Sequence, residues 1–416
     1  MAERTQVLIA GGGPVGLICA YALAQEGISV TVLDENPELQ DDPRAATTHP
    51  ATLELLDRLG VIDEVIEQGL VAERFEFWDR PTGEKIAVFD HALLADDTPF
   101  PFVVQCEQFK LAKIVYARLQ PLKNATVLFN HRVAALSQDE TGVTATVETP
   151  DGARTFAGDW LIGADGGRSV VRKSSGIDFE GFTWPERFLV LSTPFDFEKE
   201  RGMSYRNYIA DPDEWCNCFK VAGDGPPGLW RLVFPADPNA AEDELLSDEF
   251  VQNQMQKFFR RDTDYDIVHR NLYNVHQRVA STFRKGRVLL AGDSAHVNNS
   301  IGGMGLNGGI QDAMSLSEKL ARVIKGDADE TLLDLYDRQR RTYAVEFVQE
   351  QTIENKKRLE AKDAGARAQN LANLREISSD AAKHRTFLLR SSMIAAMRRS
   401  EEMTLPAADK PATAAS

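Results

Sequence analysis

Short apolar runs that end on glycine and lead into helical spacing recur along this chain. Val7–Ala10 (VLIA) is followed by Gly11–Gly16, then by apolar residues at helical spacing over Leu17–Glu26. Gly27 stops that helix, and Ile28–Leu33 (ISVTVL) reads as a second strand. In mid-chain, Trp160–Ala164 (WLIGA) ends in Asp165-Gly166-Gly167, and a basic helix opens at Arg168, Ser169 and Arg172. Late in the chain, Val288–Ala291 breaks on Gly292-Asp293 and passes into a glycine-rich loop, Gly302–Gly309. The helix beyond it buries Ile310, Ala313, Leu316, Leu320 and Ile324 on one face.

Between these units the pattern predicts a helix from Pro43-Arg44-Ala45 to Leu59, strands at Phe75–Asp79, Lys85–Phe89 and Phe100–Gln105, and a helix at Glu107–Leu119. A strand at Ala125–Phe129 and a hairpin of Val143–Glu148 with Arg154–Phe156 follow. From Phe182 to Val275 the runs are aromatic and β-like: Phe188–Ser192, Met203–Ala210, Trp215–Val221 and Gly228–Phe234, with a helix at Glu242–Arg260. Helical spacing returns over Thr331–Lys362 and Ala364–Arg399, and the Pro/Ala-rich Thr404–Ser416 is expected to be disordered. The fold class is α/β: a Rossmann-like nucleotide-binding domain interleaved with a mixed β-sheet substrate domain, plus C-terminal helices.

The 416 residues suffice for one large or two moderate domains, and a net charge of −16 argues against nucleic acid and anionic membrane surfaces as partners. Cys19, Cys106, Cys216 and Cys218 lack zinc-ligand spacing, so no metal is expected; Cys216 and Cys218 would share one face of a strand. No apolar run approaches the ~20 residues of a membrane span, and Met1–Gln6 runs straight into a strand, so a cytoplasmic enzyme is expected.

The first unit carries the chemistry most openly. In GGGPVG, Gly11 permits a tight turn, Gly13 lets a pyrophosphate approach the backbone, and Gly16 lets helix and strand pack closely. Pro14 and Val15 complete the same contact. Asp34, about 20 residues on, is placed for a ribose hydroxyl. Glu35 follows it and no arginine is near, which leaves FAD or NAD rather than NADP. Arg44 fits a phosphate clamp or flavin edge, and equally a solvated helix start. His49 fits a packed or capping histidine, or an acid–base group. Tyr205, Tyr208, Trp215, Asn217 and Arg231 are the candidate substrate contacts on the aromatic strands.

GGGPVG, ADGGRSVVR and AGDSAH…GGMGLNGG, in that order and spacing over roughly residues 5–365, resemble the single-component FAD-dependent aromatic hydroxylases of the para-hydroxybenzoate hydroxylase type. The resemblance implies an FAD domain in three parts (1–74, 105–181 and 276–330), a substrate domain in two (75–104 and 182–275), C-terminal helices over 331–403 and a tail over 404–416. It implies FAD at Gly11, Gly13, Gly16, Asp34 and Arg44, with Gln105 and Asp293 along the ribityl chain. Asp165 and Arg168 would serve FAD and a transient NADH or NADPH. Backbone N–H groups at Leu306 and Asn307, in the loop of Gly303 and Gly305, would face the flavin pyrimidine edge. The family proline after the late-motif histidine is replaced by Ser300, whose carbonyl would meet a substrate hydroxyl. The aspartate that some phenol hydroxylases carry after the family arginine is Ala46 here, leaving His49 and Asn299 as acid–base candidates.

The implied reaction is NAD(P)H- and O2-dependent hydroxylation of a small phenolic or hydroxypyridine-type aromatic through a C4a-hydroperoxyflavin. An FAD-linked reductase or dehydrogenase and a non-catalytic dinucleotide sensor are the alternatives. A flavin halogenase is disfavoured because the five tryptophans never form a WxWxIP signature. The C-terminal helices are the expected surface for a homodimer.

Overall fold

The structure is a computed structural model, and residues 3–405 are described. The expected disordered tail lies outside them from Pro406 onward. A parallel sheet forms the base: strands Glu3–Ala10, Val30–Leu33, Ala125–Leu128, Gly152–Gly163 and Val288–Leu290 lie in the spatial order 288–290, 152–163, 3–10, 30–33, 125–128. Ala10 pairs with both Gly163 and Leu33, and Gly163 pairs with Leu290. The three strands that precede the three glycine motifs are therefore neighbours ending at one edge. Val7, Ile9, Leu161, Ile162, Leu289 and Leu290 are fully buried, as expected for a sheet covered on both faces. The hairpin strand at Arg154 and the WLIGA run are one strand of 12 residues. Its outer half pairs with Val143–Thr149, which pairs in turn with Arg132–Gln138. The last strand gives no clear sequence signal because most of its residues are partly or fully exposed.

The second sheet has eight strands. From Glu84–Asp90 it runs through Arg74–Asp79, Arg206–Ala210, Cys216–Val221, Leu229–Ala236, Phe179–Thr193 and His269–Ala280 to His296–Val297. All its pairs are antiparallel except that between Arg206–Ala210 and Arg74–Asp79, so the sheet is mixed. Period-2 alternation divides its side chains. Trp78, Ile209, Cys216, Cys218, Trp230 and Leu232 pack with Phe197, Met203, Val251 and Met255 under one face. Phe75, Phe77, Phe188, Val190 and Tyr208 lie on the other, where the C-terminal helices cover them. Phe387 of the Ala381–Ser391 helix stacks on Phe89 at 4.4 Å between ring centroids.

Several sequence expectations shift for identifiable reasons. Pro43–His49 is not helical: Thr47–Thr48 pairs with Gln105 and Val104, and the helix begins at Pro50, where proline's missing N–H costs nothing. Only Val103–Gln105 of the Phe100–Gln105 run is a strand. The glycine loop ends at Gly303, and Met304 opens a 22-residue helix. Gly305, Gly308 and Gly309 are thus helical. A Cβ on Gly308 would come within 2.9 Å of the His296 ring, and one on Gly309 within 2.7 Å of Val15, so these two glycines serve close packing. The Glu242–Arg260 helix splits into Glu242–Leu245 and Asp248–Phe258, the second capped by Ser247. The Thr331–Lys362 helix is interrupted by a π-helical turn at Ala344–Gln349.

One buried ionic cluster binds the layers together. Asp312, on the glycine helix, accepts from Arg340 Nε at 2.6 Å and from His296 Nε2 at 2.7 Å, and its second oxygen also takes the Gly292 N–H at 3.0 Å. Desolvation raises the Asp312 carboxyl, but His296 and Arg340 outweigh it and hold it below the ordinary carboxylate range. Arg340→Leu leaves that carboxylate buried without its arginine and is expected to cost about 3–5 kcal/mol. A urea melt would read this as a lower midpoint, and the double variant with Asp312→Asn should recover part of the loss.

Candidate active site

The first turn shows which glycines serve packing and which face a ligand. A Cβ on Gly11 would lie 2.3 Å from the Ala164 carbonyl oxygen, and one on Gly16 would lie 2.0 Å from the Gly11 carbonyl oxygen. Both glycines are required by the fold. A Cβ on Gly13 would meet nothing within 4 Å, so this residue faces open space at the N-terminus of the Pro14–Gln25 helix. Asp34 accepts the Gly12 N–H at 2.5 Å and both the backbone and side-chain N–H of Asn36. It fixes the turn while its remaining lone pairs stay available, and Glu35 beside it is exposed.

The middle motif turns inward. Asp165 accepts from the Ser169 hydroxyl and from the N–H groups of Val170 and Val171, so it caps its own helix. Desolvation raises its carboxyl against those hydrogen bonds. Arg168 is exposed at the turn. Arg172 does not capture an anion: its guanidinium donates to the Ser294 and Gly167 carbonyls, tying the middle motif to the late one.

In the late motif Asp293 opens on the cleft. Protein packed around it raises its carboxyl by desolvation, while His296 and Arg44 pull the other way. Arg44, far away in sequence, is thus brought near enough to Asp293 for its charge to be felt there. Its side chain is exposed and paired with Asp42, and its carbonyl is held by Arg231. Gly303, at φ +70°, caps the glycine helix, and the first-turn N–H groups of Met304, Gly305 and Leu306 have no acceptor within that helix. Asn307 is fully buried; its side chain accepts the His49 N–H and donates to the Thr47 carbonyl. Gln105 is also fully buried, accepts from Thr47 Oγ1 at 2.7 Å, and leaves its Nε2 without an acceptor. An orphaned donor, an open glycine turn, a free helix N-terminus and a carboxylate on one cleft fit a flavin dinucleotide.

Beyond Gly302 lies a narrow, partly open cavity of about 20 Å³. Phe75, Phe77 and Tyr208 of the mixed sheet form one wall, and Leu359, Phe387 and Ser391 of the C-terminal helices close it. His49, His91 and Arg206 are its ionisable members. His49 Nε2 lies 2.7 Å from the Gly302 carbonyl, so that nitrogen carries the proton, and buried Nδ1 has no partner. Burial pushes His49 down to about 3, with the Arg206 charge adding to it. It is a weak base and a good neutral acceptor. His91 Nδ1 is fixed by the Glu73 carbonyl at 2.9 Å, and burial with Arg206 likewise pushes it down to about 3.

Of the expected substrate residues, Tyr208 lines this cavity. Trp215 is core, edge-on to Phe188. Tyr205 stands under the Lys220 ammonium, 5.0 Å from its ring. Asn217, paired with Tyr208, is buried with its Oδ1 unpartnered. Asn299 is spent on its own loop, bonding Gln277 and the Ile301 N–H, and does not reach the cavity. The Ser300 carbonyl accepts from Gly303, and its hydroxyl is 2.7 Å from Tyr273 OH. Arg206, His91, Phe75, Phe77 and Phe387 were missed. Alternation alone would have put Phe75 with Phe77, and Arg206 with Tyr208, on shared faces. His91 and Phe387 carry no local signal.

Fold and site define a nucleotide-binding flavoprotein with an aromatic-lined cavity beside the cofactor cleft. The chain belongs to the FAD binding domain family, whose pattern matches residues 4–351, and it is an FAD-dependent aromatic hydroxylase. It is 35% identical over 390 residues to para-nitrophenol 4-monooxygenase of Pseudomonas sp. strain WBC-3, covering 92% of this chain and 94% of that one. It is 34% identical over 386 residues to 6-hydroxy-3-succinoylpyridine 3-monooxygenase of Pseudomonas putida, covering 91% and 95%. The crystal structure of p-nitrophenol 4-monooxygenase from Pseudomonas putida DLL-E4 superposes with a TM-score of 0.89 at 33% identity, over 94% of this chain and 98% of that one.

Two outcomes are expected. Gly13→Ala should leave the melting of FAD-free protein within about 0.5 kcal/mol of wild type yet weaken FAD binding at least about tenfold by fluorescence titration, whereas Gly16→Ala should destabilise the protein with or without FAD. His49 and His91, ordinarily near 6.5 and here about 3, take up protons in the unfolded chain first. Stability should therefore fall as pH drops through that window, by up to about 1.4 kcal/mol per pH unit for each histidine. Urea midpoints at pH 7 and 5 measure this, and His49→Gln should remove its share of the slope.

Proposed function

We propose that this enzyme hydroxylates a small phenolic or hydroxypyridine-type aromatic at the expense of NAD(P)H and O2, with the ring held in the Phe75–Tyr208–Phe387 cavity. The observation that carries the reading is a shared wall. Gly302 and Met304 line the aromatic cavity, and Met304 also opens the helix whose N-terminus borders the cofactor cleft. The residues that would hold FAD are Gly13, Pro14 and Val15 at the pyrophosphate, Asp34 or Glu35 at the ribose, Arg44, Gln105 and Asp293 along the chain, and the N–H groups of Gly305, Leu306 and Asn307 at the ring edge. Asp165 and Arg168 would serve as support for that cleft. Bound FAD supplies the redox chemistry, accepting hydride from the nicotinamide and passing one oxygen atom of O2 to the ring.

The chain's own residues supply position, proton handling and dryness. Tyr208, Phe75 and Phe77 orient the ring by stacking and edge contacts. His49 Nδ1, with its tautomer fixed by the Gly302 carbonyl, would accept a hydrogen bond from the substrate hydroxyl. That bond enriches the ring in electrons without leaving an imidazolium in the cavity. Phe387, Leu359 and Ser391 close the chamber against water, which would otherwise divert reducing equivalents to peroxide. The reading places the enzyme in the cytoplasm, where nicotinamide is available. All four cysteines are free thiols, and no helix among the described residues is long and apolar enough to cross a membrane.

The test is NADH and NADPH oxidation by FAD-loaded protein across phenolic and pyridine acids, with peroxide followed alongside. A substrate should accelerate oxidation with hydroxylated product formed and little peroxide. Stimulation that appears entirely as peroxide, or no stimulation by any compound of either class, would defeat the reading.

A further inference from the structure

One histidine of the C-terminal helices is bonded in a way that only its neutral form allows. His384, on the Ala381–Ser391 helix, is 7% exposed, and its Nε2 accepts the Asp90 N–H at 3.1 Å. Asp90 ends Glu84–Asp90, the outermost strand of the mixed sheet, which pairs on one side only. An outer strand leaves backbone N–H groups without strand partners, and the helix supplies an acceptor for one of them. The other ring nitrogen of His384 donates to the Ser378 carbonyl, which fixes the tautomer. The ring meets Phe89 edge-on at 4.9 Å, and Phe387, one turn further along, stacks on the same Phe89. Phe387 and Ser391 then line the aromatic cavity from this helix. The helix lies between two breaks in the helical backbone: Asp380 is extended, and Met393 is left-handed at φ +65°. Breaks at both ends let it dock and undock as a unit.

We propose that His384 is a proton-sensitive latch: neutral, it seats the Ala381–Ser391 helix on the mixed sheet, and protonated, it releases that helix from the aromatic cavity it covers. A protonated ring presents Nε2–H to the Asp90 N–H, donor against donor, and the bond is lost. Burial pushes the docked imidazole down, against the Ser378 carbonyl and the Asp90 carboxylate. Once undocked it returns to the ordinary value near 6.5. The open form therefore binds more protons, so docking is complete above that pH and weakens as pH falls below it. The charged and titratable groups around the latch are Asp90 and His91 at the strand end, Glu376 on the preceding helix, Asp380 and Lys383 on its own first turn, and the Arg385–Asp97 pair. Histidine is the side-chain type that changes charge between pH 5 and 8, and His91, pushed down to about 3, stays neutral there while docked. The latch does not depend on the reaction performed beneath it. Where the cavity is the substrate chamber, release admits water and diverts reducing equivalents to peroxide.

The test is hydrogen–deuterium exchange of full-length FAD-loaded protein at pH 7.5 and 5.5, each rate corrected for the intrinsic pH dependence of amide exchange. It reads the helix directly and does not depend on turnover. In wild type, protection of the Ala381–Ser391 amides should fall by about tenfold at the lower pH. His384→Gln keeps an acceptor where Nε2 stands but cannot ionise, so its helix should be equally protected at both pH values. His49 and His91 remain in that variant, so a loss that comes from them instead persists there. His384→Leu keeps the packing on Phe89 without the acceptor and should exchange fast at both pH values. Wild-type protection that does not change with pH, or a loss that survives in full in His384→Gln, overturns the latch. So does His384→Leu protected as well as wild type at pH 7.5, because the Asp90 bond would then not be what seats the helix. Should His384→Leu fail to fold, wild type and His384→Gln still decide.

Discussion

A carboxylate taken out of water must be completed on every side, and Asp312 is completed by three separate parts of the chain. Arg340 comes from the first C-terminal helix, His296 from the last strand of the mixed sheet, and the Gly292 N–H from the turn that ends the parallel sheet. Arg340 also donates to the Gly308 carbonyl and lies over the Tyr343 ring at 4.1 Å. The position of the glycine helix is therefore set by charge satisfaction as much as by apolar packing. Any displacement of its N-terminus relative to Gly292-Asp293 would strand a buried charge. The cofactor cleft and the aromatic chamber both take their floor from that helix.

From that fixed point the cleft follows from strand order. Neighbouring parallel strands deliver the Gly11–Gly16, Asp165–Gly167 and Gly292-Asp293 turns to one sheet edge, where open α/β sheets bind ligands. Arg172 then stitches two of those turns through backbone carbonyls, and the Ser294 hydroxyl donates to the Gly163 carbonyl at 2.5 Å. Residues that look in sequence like anion-binding groups divide in the fold. Arg172 and Asp165 stabilise turns, whereas Gly13, Asp293 and Arg44 face the cleft.

Much of this was legible beforehand, for local reasons. The βαβ unit, the steric roles of Gly11 and Gly16, the late strand–turn–helix and the aromatic mixed sheet all rest on short-range constraints of sterics and periodicity. The errors share a cause as well. The helix expected from Pro43 became an extended segment because Thr47–Thr48 finds a strand partner at Val104–Gln105, 56 or more residues away. The glycine loop was drawn too long because Gly308 and Gly309 are glycines for the sake of His296 and Val15, neither of which is near in sequence. Asn299 and Trp215 looked available but are consumed by Gln277 and Phe188.

The sequence by itself determined the nucleotide-binding base, the order of its motifs and the family, because each depends on residues within a turn or two of one another. It also determined that the second sheet would present aromatic side chains. Only the tertiary structure decided where the aromatic cavity lies and what lines it. Arg206, His49, His91 and Phe387 come from four separated segments, and they meet because the C-terminal helices fold back over the mixed sheet. The property that matters there, imidazoles too deeply buried to be charged, is a property of burial. Burial is set by distant neighbours, and no local pattern carries it.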